Sequence, residues 1–195
     1  MLSLSEGREL VKLARRTLEY YFNDRELKIR ETSFKEKRGA FVSIHSFPDH
    51  ELRGCIGYTE PIFSLGETVQ KASLSAAFQD SRFPPLTEDE LNKVVFEVSV
   101  LTVPKIIKVK NPKKYLKKIE IGKDGLIIEC GTLHKGLLLP QVPVQYNWDA
   151  ETYLEHLCMK AGLLVDTWLD SRTKIYKFQA QIFTEKEPNG VIIQT

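Results

Sequence analysis

The sequence contains few cysteines and no long apolar run. Nowhere in its 195 residues does a stretch approach the ~18 consecutive apolar residues that a membrane-spanning helix needs. The opening MLSLSEGREL has no apolar core followed by small residues, as a secretory signal would. Three scattered cysteines do not form a disulfide framework; they are Cys55, Cys130 and Cys158. We therefore expect a cytoplasmic protein with reduced thiols and no membrane partner.

The sequence also lacks a strong excess of one charge. Its 28 Lys and Arg against 26 Asp and Glu give a formal net charge of +2, whereas nucleic-acid binders usually carry more localised positive charge. Segment 105–123 holds eight lysines but no arginine and a single aromatic, Tyr115. Nucleic-acid surfaces usually add arginines or stacking aromatics to their lysines. We interpret the segment as a solvated surface, so nucleic acid is a possible partner but not the favoured one.

The apolar pattern predicts an α+β fold. Helical spacing over 10–21, with Ser5 as a possible cap, predicts a first helix. The box Ser64-x-x-Glu67 predicts a helix over 65–78. Because helices and strands mix without regular βαβ alternation, we expect a largely antiparallel or mixed sheet in one domain, 1–195. The strand patterns lie at 39–47, 51–57, 94–102, 126–130, 137–140 and 175–184.

Three further helix starts are legible. Thr87 and Glu90 form a second capping box, which predicts one or two helical turns. Asn111 before Pro112 predicts a lysine-rich helix of two turns. Asp149 is expected to cap a helix that ends near 161, with Gly162 just beyond it.

The stretch ELRGCIG (51–57) places a thiol and a cation between small residues. In an extended strand Leu52 and Ile56 face the core, and Arg53 and Cys55 face the other way. Glycine weakens a strand unless a bulge or a close backbone contact requires it.

Three interpretations of this stretch stay open. Cys55 is a nucleophile if the charge of Arg53 favours its thiolate. Alternatively, the guanidinium and the N–H groups beside Gly54 and Gly57 hold an anion. The third interpretation is structural, with a small buried cysteine and an arginine paired to an acid.

Three charged residues outside the stretch are further candidates for ligand binding. Asp80 and Arg82 precede a rigid di-proline, which could hold them at the rim of a groove. Glu97 lies within the strand 94–102, and a carboxylate buried there needs a partner. We predict Arg53 as that partner, in a pairing that serves either chemistry or the joining of two strands.

The remaining candidates come from the C-terminal half. Cys130 and His134 have C-x-x-x-H spacing, but zinc sites need a second pair of ligands, so we predict no metal. His134 is a possible base for Cys55 if folding brings them together. Gln141 could present its amide to a ligand. No cofactor motif is legible, and we predict no cofactor.

Several blocks are more specific together than any one alone. They are LRGCIG (52–57), AAFQDSRFPPL (76–86), FEVSVLT (96–102), GLLLPQV (136–142) and LCMKAGL (157–163), followed by Trp168. Together they resemble the AMMECR domain family, named after the Alport-syndrome, midface-hypoplasia and elliptocytosis chromosomal region. The resemblance covers the chain from about Leu10 to Phe183.

The resemblance implies a compact α+β domain of two unequal lobes with a groove between them, and LRGCIG as the family signature. The resemblance does not imply a specific chemical reaction. Related domains occur beside, or fused to, Memo-like and radical-SAM proteins, which implies a part in a modification pathway. Regulatory roles in transcription, replication, repair or translation have also been suggested for the family.

We therefore expect a cytoplasmic protein whose groove binds a small molecule or a protein. In this hypothesis Arg53 anchors an anionic group, Gly54 and Gly57 admit close approach, and Cys55 is the reactive or contacting atom. The alternative is a non-catalytic regulatory or adaptor module that binds protein or nucleic acid.

Overall fold

A computed structural model of the protein describes residues 1–24, 26 and 28–195. The chain forms two compact units, the first comprising Met1–Thr102 with Gln181–Thr195 and the second Val103–Ala180. Helices and antiparallel strands occur in both, which confirms the predicted α+β class. The expectations of one domain and of a groove stay predictions. No helix within the described ranges is long and apolar enough to cross a membrane.

Four α-helices and nine strands make up the regular structure of the described residues, together with three short 3₁₀ helices. The α-helices are α1 (Leu4–Asp24), α2 (Leu65–Phe78), α3 (Gln141–Gln145) and α4 (Ala150–Lys160). The strands are β1 (Ala40–Ser46), β2 (Leu52–Tyr58), β3 (Val94–Leu101), β4 (Lys105–Ile106), β5 (Gly125–Cys130), β6 (His134–Leu138), β7 (Lys174–Phe178), β8 (Ala180–Glu185) and β9 (Ile192–Gln194). The 3₁₀ helices are Glu88–Lys93, Pro112–Lys117 and Thr167–Leu169.

The first unit packs α1 and α2 against one face of a five-stranded sheet of order β2-β1-β3-β8-β9. Alternate residues of β1 and β3 face the helices, so Val42, Ile44, Phe96 and Val98 are fully buried. A helix with one apolar stripe needs such a surface to cover it. The stripe of α1 is Leu10, Val11, Ala14 and Leu18.

The two long helices of the first unit begin with side-chain caps. Ser64 accepts a hydrogen bond from the backbone N–H of Glu67 at 3.3 Å, which confirms the predicted start of α2. The predicted cap of α1 at Ser5 is wrong. The backbone N–H of Glu6 donates to the hydroxyl of Ser3, and the N–H of Ser3 donates back to the Glu6 carboxylate, so the helix begins one residue after Ser3.

The second unit packs α4 against a four-stranded antiparallel sheet of order β4-β7-β5-β6. The hydroxyl of the fully buried Tyr153 lies 3.0 Å from the carbonyl oxygen of Leu138. Asp149 caps α4 by accepting from the N–H of Thr152 at 2.8 Å. Gly162 follows the helix with φ of 69°, so both predicted ends of α4 are confirmed.

Three predicted elements need correction. Segment 175–184 is two strands, β7 and β8, which belong to different sheets. The strand predicted over 137–140 is β6, which starts earlier at His134, and Gln141 opens the short helix α3. The lysine-rich helix is the 3₁₀ helix Pro112–Lys117, which Asn111 caps by accepting from the N–H of Lys113 at 3.0 Å.

Candidate functional site

The signature strand β2 is an edge strand with a bulge at Arg53. Gly54 pairs with Ile44 and Leu52 with His45, so Arg53 has no residue opposite it on β1. The bulge breaks the alternation expected from the sequence. The prediction that Leu52 faces the core is therefore wrong, because Leu52 is 37% exposed. Ile56 packs against the core cluster, as predicted.

Both signature glycines serve close packing within the first unit. A Cβ atom at Gly54 would lie 2.2 Å from the carbonyl oxygen of Ala76, so only glycine lets β2 approach α2 this closely. A Cβ atom at Gly57 would lie 2.2 Å from the ring of Phe41. Protein atoms therefore fill the space beside these glycines where close approach of a ligand was predicted.

Arg53 forms an ion pair with Glu90, so the predicted pairing with Glu97 is wrong. The Nε atom of Arg53 donates to the Glu90 carboxylate at 2.8 Å and Nη2 at 3.1 Å. Nη1 donates to the carbonyl oxygen of Pro84 at 2.9 Å. The Arg53 side chain is only 16% exposed, and its donors hold the di-proline loop against β2. This engagement argues against Arg53 as an anchor for an anionic ligand.

Glu90 has two roles in this arrangement. Its carboxylate accepts the backbone N–H of Thr87 at 2.8 Å, which completes the predicted capping box, and it also accepts from Arg53. Burial works to raise the pKa of Glu90, but the hydrogen bonds from Arg53 and Thr87 outweigh it and lower the pKa. Glu90 is therefore a structural carboxylate that stays ionised.

Asp80 and Arg82 hold the outer edge of β2 at Cys55. The backbone N–H of Cys55 donates to the Asp80 carboxylate at 2.9 Å, and Nη2 of Arg82 donates to the Cys55 carbonyl at 3.3 Å. These two backbone groups point away from β1, so the side chains take the place of a neighbouring strand. Asp80 and Arg82 also pair with each other at 2.7 Å.

Asp80 is not simply a member of a surface ion pair, because only 6% of the residue is exposed. The hydrogen bond from Arg82 is the main cause that lowers the pKa of Asp80; burial opposes it, and the N–H of Cys55 adds to it. Arg82, by contrast, keeps 56% of its side chain exposed. Of this pair, Arg82 alone can reach a partner in solution.

A polar row crosses the sheet on the face opposite the helices. Ser43 on β1 lies between Cys55 on β2 and Glu97 on β3, because it is the register partner of both. Its hydroxyl donates to the Cys55 sulfur at 3.2 Å. On the far side of the row the hydroxyl of Thr184 donates to the Glu97 carboxylate at 2.9 Å. We call these four residues the polar row.

The environment of Cys55 does not favour its thiolate. Burial is the main cause that raises the pKa of the Cys55 thiol; the hydrogen bond from Ser43 and the charge of Arg82 act against it, while Glu97 and Asp80 add to it. The nucleophile hypothesis expected a lowered pKa caused by Arg53, whose guanidinium is engaged by Glu90. The half-buried thiol is suited to contact and hydrogen bonding rather than to attack.

The predicted candidates of the second unit lie on or beside β5 and β6. His134 is exposed on β6, and its Nδ1 lies 3.2 Å from the carbonyl oxygen of Ala161. Cys130 is its cross-strand neighbour on β5, and Gln141 is an exposed residue of α3. Within residues 1–24, 26 and 28–195, no group of three or more His, Cys, Asp and Glu side chains could hold a metal ion.

Sequence reasoning missed Ser43, Glu90 and Thr184. The sequence marked Glu90 as a helix cap, but it carried no sign that the same carboxylate would hold Arg53 across 37 positions. Ser43 had a weak signal, since it is a polar residue on the outward side of an alternating strand. Nothing in the local pattern around Thr184 indicates its contact with Glu97.

Together these features define an α+β protein whose signature strand is tied at its edge to an aspartate–arginine–diproline loop. The AMMECR1 family model matches residues 11–183. The chain belongs to the AMMECR1 family, as the sequence resemblance predicted.

Relatives from distant sources share nearly the full length. The chain is 54% identical to protein MJ0810 of Methanocaldococcus jannaschii over 196 residues, which covers 100% of this chain and 97% of that protein. A protein of Aquifex aeolicus is 47% identical, with 95% of each chain covered. The crystal structure of the uncharacterised protein PH0010 from Pyrococcus horikoshii matches with a TM-score of 0.84 and 44% identity, over 97% of this chain and 96% of that one.

Proposed function

We propose that the protein is a cytoplasmic binding protein that takes a small molecule or a peptide on the polar row. The ligand carries an amino or amide group that donates to Glu97, and it contacts the Cys55 sulfur and the Ser43 hydroxyl. The LRGCIG signature contributes through Cys55, while its other members fix the strand. The part in a modification pathway implied by the family resemblance belongs to the same proposal.

The observation that carries this proposal is the Glu97 carboxylate. It is half-buried on the sheet, it accepts from Thr184, and it has no ion-pair partner among the residues described. A carboxylate in such a place is stabilised by a cationic or N–H donor, because partial burial costs it hydration. Arg53, Asp80, Arg82 and Glu90 already have partners, so Glu97 is the group that a ligand would satisfy.

The state of the cysteines supports the proposed location. Cys55, Cys130 and Cys158 are all free, and thiols persist in reducing compartments.

The test is a thermal-shift screen of amines, amino acids and short peptides. We expect one chemical class to raise the Tm of the protein but not that of Glu97→Gln, which removes the charge and keeps the shape. A Lys123→Gln variant, changed at an exposed side chain of the second unit, should respond like the wild type. A hit that stabilises Glu97→Gln equally would overturn the proposal.

Alkylation of the cysteines provides an independent readout. A ligand on the polar row should slow the alkylation of Cys55 and leave that of Cys130 unchanged, because Cys130 lies on β5 of the second unit. Peptide mass mapping reads both sites in one sample. Equal protection of the two cysteines would contradict binding at the row.

A further inference from the structure

The near-neutral charge of the chain hides a division between its two units. Residues 103–180 contain 13 Lys and Arg against 8 Asp and Glu, a formal net charge of +5. The rest of the chain contains 15 against 18, a net charge of −3. All eight lysines of segment 105–123 are exposed. The second unit is therefore a basic module, which the total charge did not reveal.

The same unit carries a stack of three aromatic rings at its surface. The rings of Trp148 and His156 lie 3.8 Å apart and are nearly parallel, at 5°. Tyr146 continues the stack, 5.1 Å from Trp148 at 20°. Tyr146 is 59% exposed, and Trp148 is only partly buried, so the stack ends at a ring that solvent reaches. A planar aromatic face in this position is a platform on which another ring can stack.

Two lysines on separate elements lie near the residues that form this stack. Lys160 lies four residues after His156 on α4, so the two side chains are neighbours on one helix face. At the other end, a Cβ atom on Gly122 would lie 3.2 Å from the side chain of Val144, two residues before Tyr146. Lys123 follows Gly122 directly and is exposed. Lys160 on α4 and Lys123, which pairs with the exposed Glu120, thus add positive charge from two separate elements to the part of the unit that carries the platform.

We infer that the second unit binds single-stranded nucleic acid, with a base stacked on Tyr146 and the adjoining phosphates held by lysines. Every base offers an aromatic face, and a single strand exposes it, whereas a duplex does not. Phosphates supply the charge that complements a basic module. The sequence argued against this partner because segment 105–123 has no arginine and a single aromatic, but the same unit carries a stack of aromatic rings within residues 146–156.

Direct binding measurements test the inference. Fluorescence anisotropy would follow labelled oligo(dT), oligo(U) and a duplex, each of roughly 20 nucleotides. We expect both single strands to bind more tightly than the duplex, and affinity to fall steeply between about 50 and about 200 mM salt. The comparison of oligo(dT) with oligo(U) decides whether DNA or RNA is the better ligand.

Substitutions of Tyr146 separate stacking from charge attraction. Tyr146→Ala should weaken single-strand binding by roughly 5- to 100-fold, because it removes the outer ring of the stack, whereas Tyr146→Phe should bind like the wild type. Circular dichroism checks that both variants fold. Unchanged affinity in Tyr146→Ala would overturn the inference.

Charge variants give the second arm. Replacing Lys123 and Lys160 by Gln should lower the affinity and the steepness of its salt dependence. The matched control replaces Lys28 and Lys35, exposed lysines of the first unit, and should change neither quantity. Equal loss of affinity in the control variant, or equal binding of the duplex, would overturn the inference. Tighter binding of a poly-glutamate peptide than of either oligonucleotide would also overturn it, in favour of an acidic protein partner.

Discussion

The two units of the protein differ in how their charged side chains are placed. In the first unit Arg15 on α1 and Arg53 on β2 have little exposure and bind carboxylates and carbonyl groups, through the pairs Arg15–Glu185 and Arg53–Glu90. In the second unit most lysines extend into solvent, and the ion pairs Lys123–Glu120 and Arg172–Asp170 lie at the surface, although Lys177 pairs with the buried Asp124 at 2.8 Å. Arginine pairs with little exposure join elements of the first unit, whereas most cations of the second unit face solvent.

The residues that identify the family differ from the groups that are available to bind a ligand. Several residues that make the chain recognisable serve packing: Arg53, Asp80 and the di-proline hold β2 to one loop, and Gly54 lets β2 pack closely against α2. The groups with unused bonding capacity, such as Glu97 and the ring face of Tyr146, lie outside the LRGCIG motif. A specific motif is therefore here a sign of architecture, and ligand groups have to be sought beside it.

Among the variants that test this contrast, the one at Glu185 is expected to lose the most stability. Glu185→Gln leaves Arg15, only 3% exposed, without a counter-charge, and it weakens a carboxylate site that also accepts the N–H of Phe96 at 3.0 Å. We expect the free energy of unfolding to fall by about 3–5 kcal/mol, as for other broken buried pairs. Urea denaturation measures it.

The control for the Glu185 variant is a substitution in an exposed ion pair of the second unit. Glu120→Gln removes the exposed partner of Lys123 and should leave the unfolding midpoint where it was. Similar losses in the two variants would erase the proposed difference between the units.

Asp80→Asn should have the next largest effect, and that effect should depend on pH. The substitution weakens acceptance from Cys55 and Arg82, at an expected cost of about 1–3 kcal/mol near pH 7. Because the pKa of Asp80 is lowered on folding, its ionised form stabilises the protein above the ordinary value of 3.8, and this contribution is lost as the pH falls further. Urea denaturation of both proteins from neutral to acidic pH should show the difference shrinking only at the acidic end.

Arg53→Lys tests whether the geometry of the guanidinium matters in the first unit. Lysine cannot reproduce the two-pronged bond to Glu90 together with the contact to Pro84, so we expect a loss of about 1–2 kcal/mol. Arg172→Lys is the matched variant, since Arg172 binds Asp170 in the same two-pronged way but with 84% of its side chain exposed. It should unfold like the wild type, and equal losses would count against the contrast.

The smallest expected effect concerns the Cys55 thiol. Its pKa is raised mainly by burial, and the hydroxyl of Ser43 partly offsets that rise. Ser43→Ala should raise the pKa further, which lowers the thiolate fraction and slows alkylation of Cys55 by a few-fold at a fixed pH. The rate at Cys130 should not change. Faster alkylation of Cys55 in the variant would show that the hydroxyl does not stabilise the thiolate.

The parts of the fold that sequence predicted correctly depend on contacts between near neighbours. The caps at Ser64, Thr87 and Asp149 each join residues three positions apart, and all three elements begin where they were expected. The strand patterns at 39–47 and 51–57 are confirmed as β1 and β2, which pair as neighbours in the sheet. Such signals are local, so the sequence states them directly.

The parts that sequence missed depend on tertiary pairing. An apolar-polar alternation continues through Gln179, so nothing in 175–184 marks the point where the chain passes from one sheet to the other. Sequence predicted Glu97 as the partner of Arg53, and only the path of the loop 80–90 decides that Glu90 reaches it instead. Of the candidate site, the sequence identified Cys55 and Glu97 but not the Ser43 that lies between them.

The side chains at Asp80 and Arg82 have a consequence for how copies of the protein behave toward one another. An edge strand with free N–H and C=O groups is a template on which another chain can add a strand, and this is a common route into aggregates. Here the aspartate and the arginine occupy those groups at Cys55, and the bulge at Arg53 interrupts the regular spacing beside them. The LRGCIG stretch thereby protects the edge of its sheet from the addition of a strand from another copy of the protein.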